Sequence, residues 1–250
     1  MSSSRAGQRT LITIEGLDGV GKSTVINSLP FDFPILAEPG STALGQSLRL
    51  FLKGQVPNFV ADFSAHPKAL ELLHAIPEAS SSVAQAIELI ESGSGQLPVR
   101  DPEVSASEEM YLFNVCRAQL MNEVIFPLLE ETPLLIDRFI DSTVAYQGYG
   151  REGEPSPELV KQINSLATNG VTPDLTIYLK MDESQRQRRI GQRDGEVDTF
   201  DDLGSDFFYR VAAGFDALAA AEERIAVVDA AQPPEQVAAE VESLIRQTLP

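Results

Sequence analysis

Apolar residues recur along this chain in two rhythms. Short runs at Leu11, Ile12 and Ile14, at residues 34–37, at Leu134, Leu135 and Ile136, at 174–179 and at 224–228 have the length and composition of buried strands. Between them the spacing predicts helices over 22–29, 43–53, 105–131 and 234–249, with another ending near Gly170. The local signals agree with these boundaries. Pro30 stops the first helix, Pro39 and Gly40 force a turn, Ser41 or Thr42 is placed to cap the next helix, and Ser105-x-x-Glu108 is a capping box. On the second helix Leu44, Leu48 and Phe51 share a side, and on the long third one Leu112, Val115, Leu120, Val124 and Leu128 form the expected buried stripe. Strands alternating with helices, each connection long enough for a crossover, predict an α/β fold: a five-stranded parallel sheet with helices on both faces.

Between residues 54 and 107 the pattern loosens. Amphipathic segments at 68–76 and 82–90 are separated by Pro77-Glu78-Ala79-Ser80-Ser81 and followed by the connector Ser92-Gly93-Ser94-Gly95, which reads as a helical insertion of structural role. The first residues, 1–9, read as a flexible tail, and 10–250 as a single domain.

Composition narrows the partners. A 250-residue chain that is 43% hydrophobic buries one substantial core, and its net charge of −18 opposes an extended nucleic-acid surface. Neither nucleic acid nor a membrane is expected as a partner. The single Cys116 forms no internal disulfide, and the absence of a signal peptide or an 18-residue apolar run places the protein in the cytoplasm. His66 and His74 lack metal-ligand spacing with any Cys or carboxylate.

The candidate chemistry begins where the first strand empties into Gly16-Leu17-Asp18-Gly19-Val20-Gly21-Lys22-Ser23-Thr24. This is the spacing of a phosphate-binding loop: Gly16, Gly19 and Gly21 let backbone N–H groups approach phosphate oxygens at a helix start, Lys22 neutralises the β- and γ-phosphates, and Ser23 holds Mg²⁺. In a parallel sheet, ligands gather at the carboxyl ends of the strands. Those ends here supply the loop, Glu38-Pro39-Gly40, Asp137-Arg138 and the arginine-rich segment 186–193. Carboxylates and cations converging on a phosphate loop describe phosphoryl transfer better than dinucleotide binding. Asp137 stands where a further Mg²⁺-binding carboxylate is needed, or else is a structural partner of Arg138.

EGLDGVGKST, EPGSTALGQSLR, LFNVCRAQL, DRFIDSTVAYQGYG and TPDLTIYLKMD, in this order, resemble the thymidylate kinases. The resemblance runs from about residue 10 to the C-terminus without the insertion, and DRFIDSTVAYQGYG is much more specific than the phosphate loop alone. It implies a P-loop nucleoside monophosphate kinase with a five-stranded parallel sheet. Such an enzyme transfers the γ-phosphoryl of ATP to dTMP with Mg²⁺, without a general base because the acceptor oxygen is already ionised, and usually forms a homodimer. Carried over by position, the loop residues from Gly16 to Thr24 bind ATP. Phe113 stacks on thymine, and Arg117, one turn on, reaches an exocyclic oxygen of the base. Arg138 holds the acceptor phosphate, Asp18 the deoxyribose 3′-hydroxyl, and Tyr146 fills the space of a ribose 2′-hydroxyl. Thr143 and Gln147 line the base pocket, with Glu38 also on the dTMP side.

The loop itself offers no cation before Lys22, so the extra cation of the resemblance falls to a lid over 186–204. Arg186, Arg188, Arg189 and Arg193 lie in it, and Arg193, opening the turn RDGEVD, is the leading candidate. The chain departs from the pattern at Ala37, where family members often carry Arg, and at Ser41, where a second glycine is common. Two other readings are compatible: a deoxynucleoside kinase of the same fold, opposed by Phe113, Arg117 and Tyr146, and a weakened nucleotide-binding protein that works through the inserted helices, opposed by intact Lys22, Ser23, Asp137 and Arg138.

Overall fold

In the computed structural model, which describes residues 10–52, 105–152, 154–191 and 204–250, five strands form one parallel sheet. They are β1 (Leu11–Glu15), β2 (Ile35–Ala37), β3 (Leu134–Asp137), β4 (Leu175–Lys180) and β5 (Ile225–Asp229), in the order β2-β3-β1-β4-β5. Each lies within a residue of its predicted position. The expected tail over 1–9 and residues 54–104 of the expected insertion fall outside the described residues.

The central strands β1, β3 and β4 are buried on both faces, and their alternation divides the core. Ile12, Ile14 and Leu135 join one apolar cluster, while Leu11, Leu134 and Ile136 join another on the opposite side. Register pairs Ile14 with Asp137 across β1 and β3, so both strands end level, and the segments that follow them emerge side by side. The chain leaves β1 toward β2 on one side of it and returns past it from β3 to β4 on the other, which opens a crevice at the carboxyl ends of β1 and β3.

The helices are α1 (Lys22–Ser28), α2 (Ala43–Leu52), α3 (Ala106–Leu120), α4 (Phe126–Leu129), α5 (Ile140–Thr143), α6 (Pro157–Ala167), α7 (Glu183–Ile190), α8 (Gly204–Ala221) and α9 (Pro234–Thr248). Thr42 Oγ1 accepts from the Gly45 N–H at 3.0 Å and starts α2, and Ser105 with Glu108 forms the full capping box of α3. The long helix expected over 105–131 is interrupted by a π-helical turn, Met121–Ile125. Only part of its expected stripe is buried: Val115 and Leu120 are, whereas Leu112, Val124 and Leu128 are half-exposed. Ile125 and Leu129 take the inward positions beyond the π turn, because the extra residue it accommodates advances the phase. A second π-helical stretch, Val144–Gly150, continues α5.

Helix α8 was not legible in the apolar pattern. It sends Phe207, Phe208, Val211, Phe215 and Leu218 into the larger cluster and packs along Val144–Gly150. Gly150 and Gly214 make that approach possible: a Cβ on the first would lie 2.7 Å from the Phe207 ring, and one on the second 2.8 Å from Tyr149 Cβ. No helix among the described residues is long and apolar enough to cross a membrane.

Candidate active site

The phosphate loop leaves β1 at Gly16, whose φ is 137° and whose Cβ, if it had one, would sit 2.6 Å from the Leu179 carbonyl oxygen of the neighbouring strand. Only glycine satisfies both constraints. The loop ends at Gly21, the N-cap of α1, so Lys22 is the first helical residue, with Ser23 and Thr24 exposed behind it. Helix α7 covers the loop from above; a Cβ on Gly19 would come within 2.8 Å of Ile190. Val20 is buried beneath.

The Lys22 ammonium donates to the carbonyls of Gly16 at 3.2 Å and Leu17 at 3.0 Å. Burial and the nearby Arg138 push its pKa down to about 8, against the opposing pull of Asp18, Asp137 and Glu15.

Across the crevice, β3 ends at Asp137 and the chain bends sharply, with Arg138 in the left-handed region at φ 65°. This bend directs its guanidinium back over the loop. Nη1 donates to the Gly16 carbonyl at 3.0 Å and to Ser142 Oγ at 3.1 Å, and Nη2 donates to Asp18 Oδ1 at 2.6 Å. The Tyr146 hydroxyl completes the cluster by donating to Asp18 Oδ2 at 3.1 Å, and the guanidinium lies 5.2 Å from the Tyr146 ring centroid. Burial acts to raise the Asp18 pKa, but Arg138 and then Lys22 hold it well below the usual carboxylate range. Burial pushes the Tyr146 phenol upward, so it stays a donor.

Asp137 Oδ1 is buried and has no hydrogen-bond partner among the described residues. A hard oxygen left unpaired beside the loop suits a divalent cation that takes oxygen ligands, with phosphate oxygens and water completing the shell. The Asp137 carboxylate therefore fits Mg²⁺.

Deeper in the fold lies a second polar cluster. Arg117 is 1% exposed, and all five of its N–H donors are engaged. Nε donates to Glu38 at 3.0 Å, Nη1 to Asn114 and Asn164 at 3.3 and 2.6 Å, and Nη2 to the Phe139 carbonyl and Thr143 Oγ1 at 3.2 and 2.9 Å. Burial raises the Glu38 pKa and Arg117 opposes it. Arg117 thus ties α3, α6, the β2 turn and the β3 turn into one wall. Gln147 Nε2 donates to Glu109 at 3.3 Å, and Arg151 binds the same carboxylate at 2.9 and 3.0 Å. Phe113 is half-buried on α3. Cys116 is buried, and its surroundings raise the thiol pKa far above the range of a nucleophile.

Family models and curated relatives converge on one assignment. Residues 67–241 match the family model described as Thymidylate kinase. The chain belongs to the thymidylate kinase family. It is 34% identical over 254 residues to the thymidylate kinase of Desulfovibrio desulfuricans, covering 95% of each chain. It is likewise 34% identical to that of Lactobacillus delbrueckii subsp. bulgaricus, over 97% of this chain and 98% of the relative, and 32% identical to that of Bifidobacterium longum, over 94% and 97%. The α/β fold with a five-stranded parallel sheet agrees with that membership.

The arginines expected in a lid divide. Arg186 is fully buried: it pairs with Glu183 through two bonds of 2.6 and 2.7 Å, lies 4.0 Å over the Phe208 ring and donates to the Asp18 carbonyl at 3.0 Å. Arg189 reaches the loop at the Val20 carbonyl, 3.3 Å away, while Arg188, among the described residues, bonds within its own helix to the Ser184 carbonyl. Arg193 lies outside the described residues.

Several residues of the site escaped the sequence reading. Glu15 takes hydrogen bonds from the Phe139 N–H and from Ser142; Asn164 orients Arg117; Glu109 orients Gln147; and Asp141 is gripped by Arg224 through bonds of 2.7 Å. For Glu15 a signal existed. It is a carboxylate at the end of a largely apolar, fully buried strand, and such a group must have partners.

Proposed function

We propose that this chain phosphorylates dTMP to dTDP with ATP, and that the transfer runs in the crevice between the phosphate loop and the Arg138 turn. The observation that carries the reading is the placement of Arg138, whose guanidinium is within bonding reach of the loop backbone at Gly16 and of Asp18. An acceptor phosphate held by that guanidinium faces the γ-phosphoryl group cradled by the loop.

The chain's task is positioning and charge, since the attacking phosphate oxygen is ionised at neutral pH. Backbone N–H groups of Gly19 and Gly21 hold the donor phosphates, and the Lys22 ammonium leaves its loop carbonyls to meet charge on the transferred group. Ser23 and Asp137 would hold Mg²⁺, which supplies further neutralisation of the phosphate oxygens. Asp18 takes the 3′-hydroxyl, while Tyr146 excludes a 2′-hydroxyl. Phe113, Thr143 and Gln147 line the base pocket against the wall built by Arg117 and Glu38. Arg189 and Arg193 close over the donor phosphates. The working form is a cytoplasmic homodimer.

A coupled assay with ATP and Mg²⁺ against dTMP, dUMP, dCMP, dGMP and thymidine tests this. The expected result is fastest turnover with dTMP and loss of turnover on adding EDTA. Phosphorylation of thymidine but not dTMP would overturn it in favour of a deoxynucleoside kinase, and ATP binding without any turnover would favour a binding protein.

A further inference from the structure

Glu15 is fully buried at the end of β1, immediately before the phosphate loop, and no step above uses it. Its two oxygens serve two different donors. Oε1 accepts from the Phe139 N–H at 2.7 Å, and Oε2 accepts from the Ser142 hydroxyl. Both donors follow Arg138 closely, Phe139 as the next residue and Ser142 in the helix α5 that the turn opens.

That turn is not one the chain adopts freely. Arg138 has φ 65°, in the left-handed region that a side chain disfavours. The Phe139 N–H has no ladder or helix acceptor there, and Glu15 supplies one. The hydroxyl bond sets a direction as well. Arg138 Nη1, a group that only donates, takes a lone pair of the Ser142 oxygen at 3.1 Å, so the Ser142 proton is left for Glu15 Oε2. The polarity therefore runs from Arg138 to Ser142 to Glu15.

We propose that Glu15 is a positioning residue that couples the phosphate loop to the acceptor-side arginine, holding the Arg138 turn through the Phe139 N–H and polarising Ser142 toward the guanidinium. This rests on the reading that Arg138 holds the acceptor phosphate. The coupling is short, because Glu15 grips the turn by its side chain while the next residue, Gly16, accepts from Arg138 by its carbonyl at 3.0 Å. One dipeptide thus fixes Arg138 from two directions. An amide cannot replace the carboxylate, since it has one acceptor oxygen for two donors and its NH₂ would turn the Ser142 proton toward the guanidinium.

The test is steady-state kinetics on the full chain for Glu15→Gln, Ser142→Ala, their double variant and Arg138→Ala. Ser142→Ala should raise the KM for dTMP by about 5- to 10-fold and Glu15→Gln by about 10- to 100-fold, each with the KM for ATP within about twofold of wild type. The double variant should be no worse than Glu15→Gln, because both lie on one chain of bonds. If Glu15→Gln fails to fold, Ser142→Ala carries the test through the same split in KM. An unchanged KM for dTMP in Glu15→Gln and Ser142→Ala, alongside a raised one in Arg138→Ala, overturns the coupling alone. So do additive effects in the double variant, or parallel losses for ATP and dTMP. An unchanged KM for dTMP in Arg138→Ala removes the acceptor reading, and the coupling with it.

Discussion

Asp18 and Arg138 meet at 2.6 Å although 120 residues separate them in the chain. One belongs to the phosphate loop and the other to the turn after β3, so the contact closes the mouth of the crevice from both sides. Tyr146 lies against the pair, with its hydroxyl on Asp18 and its ring below the guanidinium.

The hydroxyl and the ring of Tyr146 can be tested separately. Tyr146→Ala should lower the preference for dTMP over its ribonucleotide analogue by about 10- to 200-fold, the range a steric change in a pocket supplies. Tyr146→Phe keeps the ring and should retain the preference. The ratio of kcat/KM values for the two substrates decides this; an unchanged ratio in Tyr146→Ala places the side chain away from the sugar.

Lys22→Ala should lower kcat by on the order of 10² or more with the fold intact, because the charge it meets develops in the transition state. Single-turnover rates and circular dichroism check both parts. Activity within about threefold of wild type would move the catalytic site off the loop.

For the lid, Arg193→Ala should lower kcat by about 10² to 10³ with little change in ATP affinity, and Arg193→Lys should recover only part because the planar fork is lost. Arg189, already at the Val20 carbonyl, should act on binding: Arg189→Ala should raise the KM for ATP by about tenfold. The reverse pattern would exchange their roles.

Arg186 is predicted to matter for stability. Its side chain is 0% exposed and its partner Glu183 is 6% exposed, so Arg186→Ala leaves a buried carboxylate without its ion-pair partner, with Gln187 still donating to it at 2.8 Å. The cost is about 3–5 kcal/mol, seen as a fall in Tm of about 10 °C. A change below about 2 °C would show that solvent reaches Glu183 freely.

The sheet and its crevice were legible because each strand is a compact apolar run between turn residues, and the loop, Asp137 and Arg138 follow from where such strands end. The sequence did not disclose which polar groups face one another. Asn164 and Arg117, or Glu109 and Gln147, come together only when helices pack, and a neutral amide on a helix leaves no periodic trace. Arg186 misled in the other direction: in a run of arginines it reads as a free cation, yet Glu183 and the Phe208 ring enclose it. The stripe on the long helix was misplaced after residue 120 because a π turn is invisible to a fixed 3.6-residue period.

Stability should also depend on Glu15. Burial, and then the Asp141 carboxylate, push its pKa up from 4.5 to about 7, against the hydrogen bond from Ser142 and the charge of Arg138. The folded state therefore holds this proton more tightly than the unfolded chain. The resulting contribution, on the order of 3 kcal/mol, is fully present below about pH 4.5 and is lost as the pH rises through about 7. Urea midpoints of wild type and Glu15→Gln between pH 4.5 and 8 should diverge accordingly; parallel curves would mean that Glu15 titrates normally.

The glycines that seat helix α8 against Val144–Gly150 put the tuning of this enzyme partly in remote hands. Tyr146 and Gln147 ride on a segment whose distance from α8 is set by the bare backbone of Gly150 and Gly214, against Phe207 and Tyr149. A single methyl group at Gly214, which touches no substrate, would act as a wedge under Tyr149. It would tilt the segment that carries the Tyr146 ring, so, on the proposed role of that ring, the choice of nucleotide can be altered from outside the pocket without replacing any residue that lines it.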